Sequence, residues 1–180
     1  QLRYNYAATL QAGLEFELAR DEFERTLALQ RRVLEPDHPM LAATLQSLAT
    51  VYCDLKVTES SNDAFAEALK ISTKTLGPDH PNVLSLRSNW MTCQIQNGDN
   101  GDAQETELRE ILSLRRQTLG PDHPDVARSH YVLGLALLER GRASAAVAEA
   151  ERAWAIDGKD GATARYRAQS GFLLARALRA

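Results

Sequence analysis

A chain of 180 residues with 44% apolar content has enough material for a continuous core, and 6% aromatics among abundant Ala, Leu, Arg, Glu and Gln favours helices throughout. A formal charge of -3 excludes the strongly basic face of a dedicated nucleic-acid binder, and no apolar run nears the ~20 residues that span a bilayer. Two cysteines without a CxxC, Cys53 and Cys93, suggest neither a disulfide framework nor a zinc site, and fit a reducing, cytoplasmic setting best.

In chain order, the opening stretch reads as a helix already under way, so a chain that starts at Gln1 without Met is expected to be a piece of a longer protein. After a turn near Gly13 a second helix carries Ala19, Phe23 and Leu27, and it stops at Leu34-Glu35-Pro36-Asp37-His38-Pro39. Near copies follow 42 and 43 residues on, as Leu76-Gly77-Pro78-Asp79-His80-Pro81 and Leu119-Gly120-Pro121-Asp122-His123-Pro124. All six prolines of the chain lie in these three motifs. Proline breaks a helix interior, so the chain is a set of helices punctuated at a fixed period.

Each motif is a stop followed by a start. Gly77 and Gly120 suit the left-handed position past a helix end, while Glu35 replaces that glycine in the first copy. The second proline suits the first turn of the next helix, and the histidine before it is pushed into the capping position.

Between motifs there is room for two helices and a short polar turn. Leu41, Leu45, Leu48 and Tyr52 share one face of the next helix, and Phe65, Ala68 and Leu69 mark its partner beyond a turn at Lys56. Matched core positions recur as Phe23, Phe65 and Leu108, as Leu27, Leu69, Leu112 and Trp154, and as the small residues Ala19, Ser61 and Ala146. The turn from Asn97 to Asp102 carries the extra residue of the longer spacing. It lacks the ligand pattern and closing Glu of a calcium loop and is read as a plain turn. A further turn falls at Gly141, and Arg115 is expected on the outer, convex face.

No fourth proline motif appears after Ile156. Asp157 to Gly161 form a polar break, and residues 162 to 179 then read as one last helix, with Tyr166, Phe172, Leu173 and Leu178 apolar and Arg165, Arg167, Arg176 and Arg179 polar. Such a helix would cap the open end of the array. The expected organisation is a single array over 1–180, with repeats at about 1–37, 38–79, 80–122 and 123–157 and a capping helix at about 162–179.

Histidines beside aspartates serve both metals and acid–base chemistry. His38, His80 and His123, however, would form a row with one residue per repeat, and helices pack about 8–10 Å apart whereas the ligands of one zinc lie about 2 Å from it. They are therefore read as helix caps, with no catalytic residue, metal or cofactor expected. His130 is read as a partly buried residue on a helix face, and the different repeat positions of Cys53 and Cys93 speak against a disulfide.

These residues resemble the tetratricopeptide repeat in the longer form of kinesin light chains and many bacterial multi-repeat proteins, where LGPDHP closes each unit. The match runs through Leu48-Ala49 with Tyr52, Leu133-Gly134, Gly141 with Ala146, and Ala153. The resemblance implies an all-α, right-handed α-α superhelix of about four helix-turn-helix repeats, whose first helices line a concave groove for a peptide or protein segment. Carried over, the groove positions are Ala43, Gln46, Thr50 and Cys53; Ser85, Ser88, Thr92 and Ile95; and Arg128, Tyr131, Leu135 and Leu138. The family's paired asparagines survive only as Asn89 next to Ser88, and the Lys and Asn of a carboxylate clamp are missing.

The third repeat departs from the family core at Arg87, Trp90, Met91 and Gln94, which either repack it, with Arg87 reaching solvent, or let Arg87 and Trp90 form a pocket. The function implied is a protein-interaction scaffold, the arm of a larger signalling or regulatory protein, with no nucleic acid or membrane as partner. The alternative is self-association through the open N-terminal end, given net charges of -7 over residues 1–125 and +4 over 126–180.

Overall fold

The structure, a computed structural model, describes residues 2–158 and 164–180, with side chains from 167 onward in the second segment. Every regular element among these residues is a helix: α1 (Leu2–Ala12), α2 (Phe16–Val33), α3 (Pro39–Asp54), α4 (Thr58–Leu76), α5 (Pro81–Gln96), α6 (Asp102–Leu119), α7 (Pro124–Glu139), α8 (Ala143–Asp157) and α9 (Ala164–Ala177). The polar break as far as Gly161, and the readings of Arg165 and Tyr166 as polar and apolar side chains of the last helix, lie outside the described residues except at Asp157 and Gly158.

The three proline motifs start helices as expected. His38 Nδ1 accepts a hydrogen bond from Met40 N, His80 Nδ1 from Asn82 N and His123 Nδ1 from Asp125 N, each at 3.1 Å. Each imidazole thereby caps an amide that the first turn of its helix leaves without an intrahelical partner. The stops need one correction. Gly77 and Gly120 have φ 87° with ψ 157° and 159°, an extended conformation reserved for glycine rather than the left-handed helical one. In the first copy Leu34 at φ -110° keeps to ordinary extended backbone, so Glu35 is tolerated there and α2 ends one residue earlier in its repeat.

The turns inside the repeats also recur in conformation. Leu14 (φ 63°), Lys56 (φ 62°), Gly98 (φ 87°) and Gly141 (φ 71°) occupy one register position, and all four have positive φ.

The chain divides into two compact units, Gln1–Cys93 and Gln94–Ala180. In the first, α1 packs on α2, α2 on α3 and α3 on α4. Phe23, Phe65, Ala19 and Ser61 are fully enclosed, as their matched spacing requires. Tyr4 meets Phe23 edge-on at 5.5 Å between centroids, and the Tyr52 hydroxyl donates to Glu24 at 2.7 Å. Burial and that carboxylate push the Tyr52 phenol up to about 12. Leu69 is only half-buried, packing against this core beside the enclosed Ala68 and Ile71.

The expectation of separate thiols is overturned in the same unit. Cys53 and Cys93 form a disulfide with Cα atoms 5.8 Å apart. Side-by-side helices touch through opposite faces, so contacting residues need not share a repeat position. The argument for a reducing compartment loses its basis accordingly.

In the second unit α6 packs on α7, α7 on α8, and α9 on both α7 and α8. Leu108, Leu133, Ala146, Ala150 and Leu173 fill the core. Arg115, expected on the convex face, is only 1% exposed, with its guanidinium donating to Ser129 Oγ at 2.8 Å and to the Asp125 carbonyl at 3.2 Å. His130 is fully buried rather than partly so, and it meets Glu149. Trp154 is 38% exposed instead of filling the core. Its ring lies against α9 at Gly171, where an added Cβ would come within 2.6 Å of Cζ3, with Arg167 5.2 Å above it. Phe172 of α9 and Leu178 just past its end are exposed, whereas Leu173 points inward.

Candidate groove surfaces

The groove residues carried over from the sequence lie on the first helix of each pair, α3, α5 and α7. In the first unit Gln46 and Thr50 of α3, and Asn89 and Thr92 of α5, are half-buried. The Thr50 hydroxyl donates to the Gln46 carbonyl at 3.0 Å and that of Thr92 to the Ser88 carbonyl at 2.8 Å. Each hydroxyl proton is thereby committed to its own helix, and the oxygen keeps lone pairs for an incoming donor. Ser88 itself is 0% exposed, so its side chain belongs to the interior rather than to a surface.

Beside these residues is a cleft of about 200 Å³, lined by Pro39, Ala42, Ala43, Gln46, Ser72, Thr75, Leu76, Asn82 and Ser85. Small side chains on α3 open it, and neutral polar groups from the end of α4 and the start of α5 edge it. Ser72, Thr75 and Asn82 were not picked out from the sequence. Register along the first helices could not supply them, since two of the three belong to a second helix. Trp90 of α5 stacks on Phe65 of α4 at 6.2 Å between centroids and donates from Nε1 to Asn62 at 2.8 Å, which makes it part of the packing between these helices.

In the second unit Arg128, Tyr131 and Leu135 occur at successive turns of α7 and are half-buried. Burial lowers the Arg115 guanidinium pKa, and the Arg128 charge acts in the same direction while Asp125 opposes it. Near the turns that follow α5 and α7, Glu105 gathers Arg109 at 2.8 Å, Arg140 at 2.9 Å and Arg142 at 2.7 Å. Hydrogen bonds from Arg109 and Arg142 hold its carboxyl below the usual range against the effect of burial. Charges this closely paired tie helices together. Among the described residues no three His, Cys, Asp or Glu side chains gather where they could hold a metal, and no helix is long and apolar enough to cross a membrane.

Two tetratricopeptide-repeat family models match the chain, one over residues 1–61 and 96–159 and the other over 41–82. Among curated proteins none matches it. Of solved structures, the nearly identical TPR-like repeats of a Podosopora anserina protein assigned as a kinesin light chain align with a TM-score of 0.77 at 24% identity, covering 98% of this chain and 84% of that one. A single-substitution variant of that protein aligns at 0.78 with the same identity and coverage. BtubC (BKLC) from P. vanneervenii aligns at 0.75 with 21% identity, covering 96% of this chain and 69% of its own. Likeness at these identities carries fold, and the fold is the all-α helical-repeat solenoid.

Proposed function

Because the chain belongs to the tetratricopeptide-repeat family, we propose that it is a non-catalytic scaffold that binds a peptide or protein segment along the first helices of its repeats. The observation that carries this reading is the open cleft of the first unit, where Gln46 lies beside Ala42 and Ala43. Small residues on a first helix leave room for an incoming chain, and neutral polar groups around them can meet its backbone. The other groove positions in this reading are Thr50, Asn89 and Thr92 in the first unit and Arg128, Tyr131 and Leu135 in the second. Ser88 contributes through the carbonyl that orients Thr92. Tyr131 is the expected anchor of the second unit, since a half-buried Tyr offers contact area at low entropic cost.

The test is selection of random phage-displayed peptides on the intact chain, followed by calorimetry of the enriched sequences. Gln46→Ala or Tyr131→Ala should each weaken binding by at least about 1 kcal/mol, while Lys70→Ala, exposed on α4, should not. If only the α4 control weakens binding, the outer face is the working surface.

Self-association is the second reading, favoured by α1, where Leu2 and Tyr6 are 88% and 56% exposed. Sedimentation would decide it. A monomer at all attainable concentrations, unchanged by Tyr6→Glu, would remove this alternative.

A further inference from the structure

Cys53 lies in the last turn of α3, one turn past Thr50, and Cys93 lies near the end of α5, directly after Thr92. Both are 4% exposed and joined to each other across a sequence separation of 40, a loop that contains the whole of α4. Ser61 of α4 sits against the bond, donating to the Ala49 carbonyl at 2.9 Å with its oxygen 3.3 Å from Cys93 Sγ. A reduced Cys93 would therefore still have a polar neighbour for its thiol, so the site can seat either oxidation state. α5 is also held to this unit by Leu86 in its core, by the Phe65–Trp90 stack and by the Asn62–Trp90 hydrogen bond, and of these Trp90 comes nearest in sequence to Cys93, nearly a turn before it. The first compact unit ends at Cys93 itself.

We propose that Cys53 and Cys93 are a redox-set clamp on the binding surface of the first unit. The disulfide holds α3, with Gln46 and Thr50, at a fixed distance from α5, with Asn89 and Thr92; the dithiol lets the last turn of α5 loosen and lowers affinity for the bound segment. The inference rests on the groove reading above.

The chemistry needs an oxidant of the low-molecular-weight disulfide class, such as oxidised glutathione. One cysteine loses its proton and its thiolate attacks a sulfur of that disulfide, forming a mixed disulfide and expelling one small thiolate. The second cysteine thiolate then attacks the protein sulfur, closes the Cys53–Cys93 bond and expels the other. Two electrons and two protons pass from the cysteine pair to the small disulfide. Because both sulfurs are enclosed, exchange has to wait for local opening, which makes the clamp a latch set slowly rather than a rapid sensor.

The experiment compares the chain treated with oxidised glutathione, the chain refolded in dithiothreitol, and a Cys53→Ser/Cys93→Ser variant. Alkylation after denaturation should label neither cysteine in the first sample and both in the second; labelling of both after oxidation means that no bond forms and ends the proposal. Amide exchange of residues 93–96 should speed up by about tenfold in the dithiol and the variant, with α7 and α8 unchanged. Peptides selected from a random phage-displayed library on the oxidised chain should bind the other two forms about tenfold more weakly by calorimetry. Equal affinities for all three, with Gln46→Ala still weakening binding, would overturn the clamp and leave the groove reading standing. Peptides indifferent to Gln46→Ala and Asn89→Ala would instead overturn the groove reading, and the clamp with it. The refolded dithiol keeps the test decisive if the serine variant fails to fold.

Discussion

His130 Nδ1 lies 2.6 Å from Glu149 Oε2 in the interior between α7 and α8, at the same separation of 19 residues at which Arg3 meets Glu22 between α1 and α2. The register position is shared, and the second repeat fills it with Leu45 and Ala64, which are 2% and 5% exposed. One place in the helix pair therefore accepts either an ion pair or an apolar contact.

Glu149 is pushed up by burial, but the hydrogen bond and charge of His130, together with Arg152 and Arg109, outweigh it and leave the carboxyl below its ordinary range. A lowered carboxylate stabilises the fold above the unfolded-state value of roughly 4.3, and that contribution is lost as pH falls through the lower folded value. Glu149→Gln should cost about 3–5 kcal/mol near neutrality, where it breaks a buried pair, and the deficit should shrink in acid. The double variant His130→Leu/Glu149→Ala, which copies the second repeat, should cost less than Glu149→Gln alone. Urea denaturation across pH reads both outcomes.

Asp157 has the opposite sign. Burial raises its pKa, opposed by the Ser170 hydroxyl that donates to it at 2.8 Å. The stabilisation belongs to the protonated form, so it is present below the unfolded-state value of roughly 3.9 and lost as pH rises through the folded value. Asp157→Asn should then raise stability at neutral pH by on the order of 1 kcal/mol, the scale of one well-made hydrogen bond. A thermal scan in acid, below both values, should show no such gain.

The histidine caps can be separated from any metal role. His80→Ala should cost about 1 kcal/mol by stranding the Asn82 amide, while His80→Asn, which can still accept, should cost a few tenths. Denaturant titration of the two variants should rank them in that order, and equal losses would mean that ring packing, not capping, holds the site.

Leu14 and Lys56 hold the positive-φ position that Gly98 and Gly141 fill elsewhere. Lys56→Gly should therefore be neutral or stabilising by up to about 1 kcal/mol, since a left-handed non-glycine residue costs roughly 1–2 kcal/mol. Gly141→Leu should cost about that amount. Both are measurable as shifts in the denaturation midpoint.

The elements most readable from the sequence were those set by local chemistry. A histidine between aspartate and proline has little choice of backbone, so the caps and helix starts at Pro39, Pro81 and Pro124 follow from neighbouring residues alone. Phe23, Phe65 and Leu108 were equally legible, because a matched position in each helix pair faces the interior of its own unit. Arg115 was not, since a charged residue on a second helix reads as solvent-facing, whereas the nearby Ser129 hydroxyl and Asp125 carbonyl help to make its burial tolerable. Cys53 and Cys93 escaped because repeat register compares equivalent faces, whereas neighbouring helices meet through unlike ones. Of the groove positions, Ser88 shows the same limit: homologous register put it on a surface, and packing put it inside.

The stop–start motif also bears on how such a chain can change length. In each copy the histidine amide donates back to the residue before the first proline, His38 to Glu35 at 3.0 Å, His80 to Gly77 at 3.4 Å and His123 to Gly120 at 3.4 Å, while the ring caps the amide two residues ahead. Each junction thus closes a turn on itself and caps the helix that follows. A gene that duplicated or deleted whole segments at this seam would rejoin closely similar ends, leaving each new boundary with the same turn and the same cap.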